Sequence, residues 1–205
     1  MNSLVIFCHY DCHICTAFDQ WLLAKFGTTR IRMISIIKAT VQDCHTIAGI
    51  GKVSVVDSHR ESCPAEVMHE FLERYYTRDA IKNELRDVNN IYYLIQYNDQ
   101  PAGFSKIVLN AKHPTIRAEN VTLLDRIYIR KEFYGLKLGR ELLHFNITLA
   151  RENNQSGIWL YAWIGNTRAI HFYQKAGFTI IGSHQYFVTK THYDESHHMF
   201  LDFSE

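Results

Sequence analysis

The chain is poor in the residues that would mark an extended or repetitive protein. It has three prolines and ten glycines in 205 residues, and it shows no internal repeat or low-complexity tract. Collagen-like, proline-rich and disordered classes are thereby excluded. No uninterrupted apolar run approaches the roughly 20 residues that cross a bilayer, so no membrane association is expected. The opening residues hold one short apolar stretch, residues 4–7, lack a basic start and run into Cys8, His9, Asp11 and Cys12. That is unlike a secretory leader, and the cytoplasm is the expected compartment. Five cysteines, an odd number crowded toward the front, do not make a disulfide framework; reduced thiols are the simpler reading. Neither sign of charge dominates. With 22 basic and 21 acidic side chains, the formal net charge of +1 gives no general attraction to nucleic acid or anionic lipid. Substrate preference must therefore come from a local site.

What is present is enough apolar residue, 47% of the chain, to bury one core of ordinary size. Residues 35–39 form a β-prone run, a helix is expected from Val41, and residues 54–63 are polar and poor in apolar side chains. Pro64 can open a second helix, because proline suits a first turn. Val67, Phe71, Leu72, Ile81 and Leu85 continue its helical spacing. Strands are expected over 91–97, 102–109 and 121–129, the first two joined by a turn at Asn98-Asp99-Gln100-Pro101. Leu138, Leu142, Phe145 and Leu149 share one face of a helix that ends near Asn153 or Asn154. Residues 158–163 read as a buried strand, Asn166 offers a cap for the next helix, and Gly177 is placed to stop it. Residues 178–181 and 198–203 supply closing strands. The expected order is strand, two helices, three strands, helix, strand, helix, two strands.

Three features carry chemistry. The loop Tyr134-Gly135-Leu136-Lys137-Leu138-Gly139-Arg140 enters a helix, where unpaired backbone N–H groups and the positive end of the helix dipole suit a pyrophosphate. Gly135 and Gly139 alone describe a plain strand-to-helix turn equally well. Asp125 is a carboxylate in an otherwise apolar strand, and a general base and an ion pair with Arg126 or a neighbour both stand open. Tyr173, beside Phe172 at helical spacing, suits either a core position or a proton donor.

The stretch Leu124-Asp125-Arg126-Ile127-Tyr128-Ile129 with the 134–140 loop resembles the cofactor-binding signature of the GNAT acetyltransferase superfamily. Asn166, Ala169, Tyr173, Gly177 and Phe178 resemble its second signature, in the family's order and at its usual distance. The resemblance implies an α+β (α/β) fold over residues 33–205, with a central mixed, mostly antiparallel sheet of about six to seven strands flanked by about four helices. It implies acetyl-CoA as co-substrate and no metal. Asp125 takes the place of a general base and Tyr173 that of the general acid. Cofactor contacts are implied for Ile127, Tyr128, Ile129, Tyr134, Gly135, Leu136, Lys137, Leu138, Gly139, Arg140, Asn166 and Tyr173. Two positions depart from the family: Tyr134 stands where arginine or glutamine is usual, and Lys137 where the central glycine usually stands.

Within the superfamily, Tyr76-Thr77-Arg78-Asp79 leading to Glu84-Leu85, Arg126-Ile127-Tyr128-Ile129 and Ile158-Trp159-Leu160 resemble bacterial polyamine acetyltransferases acting on spermidine and spermine. Glu66, Glu70 and Glu73 form one acidic face of the helix opened by Pro64, with Asp57 and Glu61 just before it. Asp57, Glu61 and Glu66 are the expected acceptor-binding carboxylates. The expected partner is a small-molecule amine, with no nucleic acid and no membrane, and a homodimer is compatible. The rival readings are acetylation of a protein N-terminus or lysine, a CoA-sensing module without turnover, and a thiol-redox protein run by Cys12 and Cys15.

That last reading rests on the front end. Val5-Ile6-Phe7, Asp11-Cys12-His13-Ile14-Cys15 and Trp21-Leu22-Leu23 resemble the start of thioredoxin-like DCC thiol oxidoreductases, although the rest of that fold is missing. Cys8, His9, Cys12, His13 and Cys15 lack the distant second ligand pair of a structural zinc site. Residues 1–32 are read as an appendage, with the acetyltransferase domain beginning near Met33.

Overall fold

The structure, a computed structural model, describes residues 33–204. The front-end cysteines and their thiol-oxidoreductase resemblance lie outside the described residues. The chain runs β1 (Ile34–Lys38), α1 (Cys44–His59), α2 (Ala65–Tyr75), α3 (Arg78–Arg86), β2 (Ile91–Tyr97), β3 (Gln100–Val108), β4 (Val121–Ile129), α4 (Leu138–Glu152), β5 (Gly157–Trp163), α5 (Thr167–Lys175), β6 (Thr179–Phe187) and β7 (Tyr193–Asp202). The seven strands form one sheet in the order β1-β2-β3-β4-β5-β7-β6, antiparallel at every pair except β4 and β5.

The sheet is sandwiched by helices because both of its faces are apolar. On one face Tyr92, Leu94 and Phe104 pack with Ile47, Ile50 and Val55 of α1 and Ile81 of α3. On the other, Ile158, Leu160 and Ala162 of β5 meet Leu143 of α4 and Ile170 of α5. Strand alternation therefore sends Trp159, Tyr161 and Trp163 to the α1 side.

Five α-helices stand among the described residues where sequence spacing gives four. The difference lies at Thr77. Its hydroxyl accepts from the Ala80 N–H at 3.2 Å, capping a new helix and dividing the apolar periodicity of Val67 to Leu85 into α2 and α3. The polar run 54–63 is not a loop throughout, since α1 continues to His59 and buries Ser54 and Val55. The hairpin between β2 and β3 turns at Asn98 and Asp99, both at positive φ, and Gln100 and Pro101 already belong to β3. β6 and β7 are longer than their apolar stretches, because β7 pairs on both sides.

One irregularity shapes the site. Lys106 pairs with Arg126 and Ile107 with Leu124, so Asp125 is an extra residue in β4, a bulge that turns the Asp125 and Arg126 side chains to the same face. The parallel pairing of β4 with β5 stops nearby, at Leu123 and Trp159. Beyond it the two strands diverge, and the edge of β4 that faced β5 is left without a partner strand.

Candidate active site

The divergence opens a cavity of about 700 Å³. Its walls are β4 from Leu124 to Ile129, Tyr161 to Trp163 of β5, the end of α1 and the turn after it from Asp57 through Glu61, and Asn166, Phe172 and Tyr173 around α5. Asp125, Ile127, Tyr128, Ile129, Tyr134, Gly139, Asn166, Tyr173, Asp57 and Glu61, scattered over 117 positions of sequence from Asp57 to Tyr173, all line this one space.

Glu66 does not. It is exposed on α2, outside the cavity wall, as is Glu70, while Glu73 is bonded to Lys52 at 2.8 Å. The stripe is a solvated helix face, and only Asp57 and Glu61 of the expected carboxylates face the cavity. Gly135, Leu136, Lys137, Leu138 and Arg140 are likewise off the wall. The Leu138 side chain is buried in the core with Leu142 and Phe133, and Leu136 packs against it. Arg140 is exposed beside Glu141. What the loop offers is backbone: the N–H groups of Gly135, Lys137, Leu138 and Gly139 have no acceptor among the described residues. That is an anion-binding arrangement at a helix N-terminus. Gly135 and Lys137 both adopt the left-handed conformation, with φ of 82° and 63°. The turn thus explains why glycine suits position 137, and here a lysine is held in that conformation instead.

Asp125 is the centre of an ion-pair cluster. Its Oδ2 lies 3.0 Å from Lys106 Nζ and 3.4 Å from Arg126 Nε. Glu84 of α3 completes the group, 2.6 Å from Lys106 and 3.0 Å from Arg126, and it accepts from the Tyr92 hydroxyl at 2.7 Å. Burial pushes the Glu84 carboxyl up, yet Arg126, Lys106 and the Tyr92 hydroxyl outweigh it and hold the group below its ordinary value. Two carboxylates thus balance two cations. The bulge makes the cluster, since without it Asp125 and Arg126 would lie on opposite faces.

Asn166 fills two places at once. Its Oδ1 caps α5 by accepting from the Ala169 N–H at 3.1 Å, and the residue lines the cavity. Gly177 ends that helix at φ 96°, beyond which Phe178 enters the core. Tyr173 packs its ring against Phe172 and Phe178, with centroids at 5.2 and 5.6 Å. Its hydroxyl has no hydrogen-bond partner among the described residues, although it is not a sealed, orphaned atom. Burial pushes its pKa well above that of an ordinary phenol.

Several wall residues escape a sequence reading. Arg168 places its guanidinium 4.0 Å from the Tyr134 ring centroid, so a cation stands where Tyr134 itself supplies none. His59 faces the Trp163 ring at 5.8 Å. No sequence signal marks either, because each is a lone polar residue at a helix end. Among the described residues no group of three metal-ligating side chains is placed to hold an ion. His113, His198 and His184 form a hydrogen-bonded chain behind Tyr161, with N···N distances of 2.8 and 2.7 Å, too short to admit a metal between them. No helix among the described residues is long and apolar enough to cross a membrane.

Comparison with known proteins agrees with this geometry. The Acetyltransferase (GNAT) family profile matches residues 52–178, more than half of the chain. The "Uncharacterized N-acetyltransferase in pepI 3′region" of Lactobacillus delbrueckii subsp. lactis is 26% identical over 151 residues, covering 74% of this chain and 87% of its own. The fold is shared with the PaiA N-acetyltransferase of Thermoplasma acidophilum in complex with coenzyme A. That likeness has a TM-score of 0.67 at 18% identity, over 83% of this chain and 99% of that one. It is also shared with the ribosomal-protein-S18-alanine N-acetyltransferase of Escherichia coli, at a TM-score of 0.62 and 17% identity, over 84% and 96% of the two chains. The chain belongs to the acetyltransferase (GNAT) family and is an acetyl-CoA-dependent N-acetyltransferase.

Proposed function

We propose that the acceptor is a polyamine such as spermidine, and that Tyr173 is the general acid of the reaction. Acetyl-CoA supplies the activated thioester. The residues that would hold it are the free N–H groups of Gly135, Lys137, Leu138 and Gly139, the unpartnered edge of β4 at Ile127 and Ile129, and Asn166. Lys137 and Arg168 add positive charge for its phosphates.

The observation that carries the acceptor assignment is that two carboxylates, Glu61 and Asp57, the latter 3.8 Å from the exposed Arg60, line the same cavity as the aromatic rings of Tyr161 and Trp163. Rings of this kind accept an alkyl chain, and their faces attract an ammonium group. Two carboxylates on one cavity favour a ligand with more than one positive charge. Each partly exposed pair is worth about 0.2–1 kcal/mol, so two extra contacts give roughly a two- to thirtyfold preference. Spermidine is therefore expected to show a higher kcat/KM than a monoamine of equal length, in an assay of thiol release with acetyl-CoA. The advantage should shrink with added salt, because such attraction is screened within about 8 Å at physiological ionic strength. Equal efficiencies, or preference for a peptide amine, would remove the polyamine assignment and leave the N-acetyltransferase activity standing.

Lys137 can be tested apart from the turn it occupies. A non-glycine residue in the left-handed region costs roughly 1 kcal/mol, so Lys137→Gly should leave stability unchanged or slightly raised. Loss of the charge should weaken acetyl-CoA binding by up to about fivefold at low ionic strength, with the difference vanishing at high salt. Calorimetric titration at two salt concentrations checks this. Unchanged affinity at low salt would mean that the Lys137 charge plays no part in holding the phosphates.

A further inference from the structure

The proton that the acceptor nitrogen must lose needs a base, and the ion pairs of Asp125 leave it poorly suited. Its Oδ2 is shared by Lys106 and Arg126 inside a cluster with no net charge. Both cations hold that oxygen in place, so it is already engaged on the side they occupy.

His59 stands on the same cavity wall in the opposite situation. It is the last residue of α1, and its Nδ1 lies 2.8 Å from Ser58 Oγ. Ser58 Oγ in turn lies 2.7 Å from the Ser54 carbonyl and 3.2 Å from the Val55 carbonyl. A carbonyl only accepts, so the single hydroxyl proton points to the helix backbone. The Oγ is then left to accept from His59, which places the imidazole proton on Nδ1. Nε2 carries the lone pair, and it has no hydrogen-bond partner among the described residues.

Resting on the acetyl-transfer reading, we propose that Nε2 of His59 is the base that takes the proton from the acceptor nitrogen. The acceptor reacts as the neutral amine, its ammonium proton having passed to solvent; its lone pair forms the N–C bond to the acetyl carbon, and the C–S bond breaks. The N–H proton passes to His59 Nε2, and the sulfur takes a proton from Tyr173 Oη. Solvent then reprotonates Tyr173 and receives the proton from His59.

The surroundings fit such a cycle. Burial lowers the His59 pKa, against smaller upward effects from the Val55 carbonyl and Asp194 of β7. The ring is therefore neutral at neutral pH and ready to accept. The other charges facing this space are Asp57, Arg60 and Glu61 from the end of α1, Asp125 and Arg126 from β4, and Lys131 and Arg168 further round the wall. Asp125 and Arg126 neutralise each other, and Asp57 is 3.8 Å from Arg60. Asp194, which raises the His59 pKa and itself lies 3.6 Å from His192 Nε2, favours the imidazolium once it forms. An imidazole is also the stronger base by kind, with an ordinary pKa of about 6.5 against about 3.9 for an aspartate.

The test has two arms. Long-range ¹H–¹⁵N correlation spectra of the wild-type protein, without acetyl-CoA, should show His59 as the Nδ1–H tautomer titrating below its ordinary value. An Nε2–H tautomer would overturn the proposal, whatever the enzyme's turnover. In the second arm, His59→Gln should lower kcat about tenfold to a hundredfold and abolish the acidic limb of its pH profile, while the thermal shift produced by acetyl-CoA stays unchanged. Added imidazole should restore part of the activity of His59→Ala. Wild-type kcat with an intact acidic limb in His59→Gln would equally overturn it. Failure of the wild-type enzyme to release thiol with any amine would instead count against the acetyl-transfer reading, and the tautomer measurement would still decide the state of His59.

Discussion

Tyr173→Phe is expected to lower kcat by roughly ten- to a thousandfold while leaving the affinity for acetyl-CoA and the folded stability close to wild type. A tyrosine buried for packing alone almost always finds a hydrogen-bond partner for its hydroxyl. Tyr173 has none among the described residues, although its ring is fixed between Phe172 and Phe178 and the residue lines the cavity. Removing the oxygen therefore breaks no protein contact and leaves the ring in place. On the proposed role, what is lost is the proton that would meet the departing sulfur. Burial keeps that phenol protonated at neutral and alkaline pH, so Tyr173 should introduce no decline in kcat up to about pH 10. Steady-state kinetics with a thermal melt of the same sample checks both halves. Turnover equal to wild type would make Tyr173 a packing residue.

Glu84→Gln is expected to cost about 2–4 kcal/mol of stability, although Glu84 is not on the cavity wall. The wild-type carboxylate answers Lys106, Arg126 and the Tyr92 hydroxyl together, all three largely or wholly buried. A glutamine keeps one acceptor oxygen but no charge, leaving two cations with Asp125 alone. For a domain of this size the loss corresponds to a fall in Tm of roughly 5–15 °C. The wild-type group also sets a direction with pH. Its folded pKa is depressed, so its contribution is fully present above the unfolded carboxylate value of about 4.3 and is lost as pH falls from there through the lower folded value. Thermal melts of both proteins at pH 7 and at pH 3 should therefore differ widely at the first and less at the second. A gap undiminished at pH 3, or none at pH 7, would show that packing rather than charge holds this cluster. Lys106→Met should restore part of the loss when combined with Glu84→Gln, since the double variant leaves one fewer unpaired charge.

Much of the architecture is legible in the chain because it rests on local rules. The strands at 91–97 and 121–129 follow from β-prone runs, and the helix begun by Leu138 from a four-three-four apolar spacing. The cap at Asn166 and the stop at Gly177 are short-range hydrogen-bond and dihedral effects. The division of α2 from α3 is harder to read. The apolar spacing runs past Tyr76, and only the weak cap at Thr77 marks the break. The end of α1 is hidden for the opposite reason: Ser54, Asp57 and Ser58 look like loop residues, yet the helix holds them because Val55 and Ile50 are buried on its inner face.

The site divides in the same way. By itself, the sequence determined where the loop over residues 134–140 lies, which helix carries Tyr173 and which strand carries Asp125, because each of these is a property of neighbours in the chain. It also determined that substrate choice must come from a local site, since the net charge is close to zero. Only the tertiary structure decided what those residues face. Asp125 meets Lys106 from β3, and Glu84 arrives from α3 across a gap of 41 positions, because a bulge turns two successive β4 side chains to one side. Glu66 turns to solvent while Asp57 and Glu61 line the cavity, which depends on how α1 and α2 pack on the sheet. His59 enters the site only because β4 and β5 part beyond Leu123 and Trp159 and α1 ends opposite the opening. Dihedral preferences and hydrophobic spacing act over a few residues and are therefore written locally. Ion pairing and the direction of a lone pair depend on groups distant in sequence, and they are fixed only once the sheet has brought those groups together.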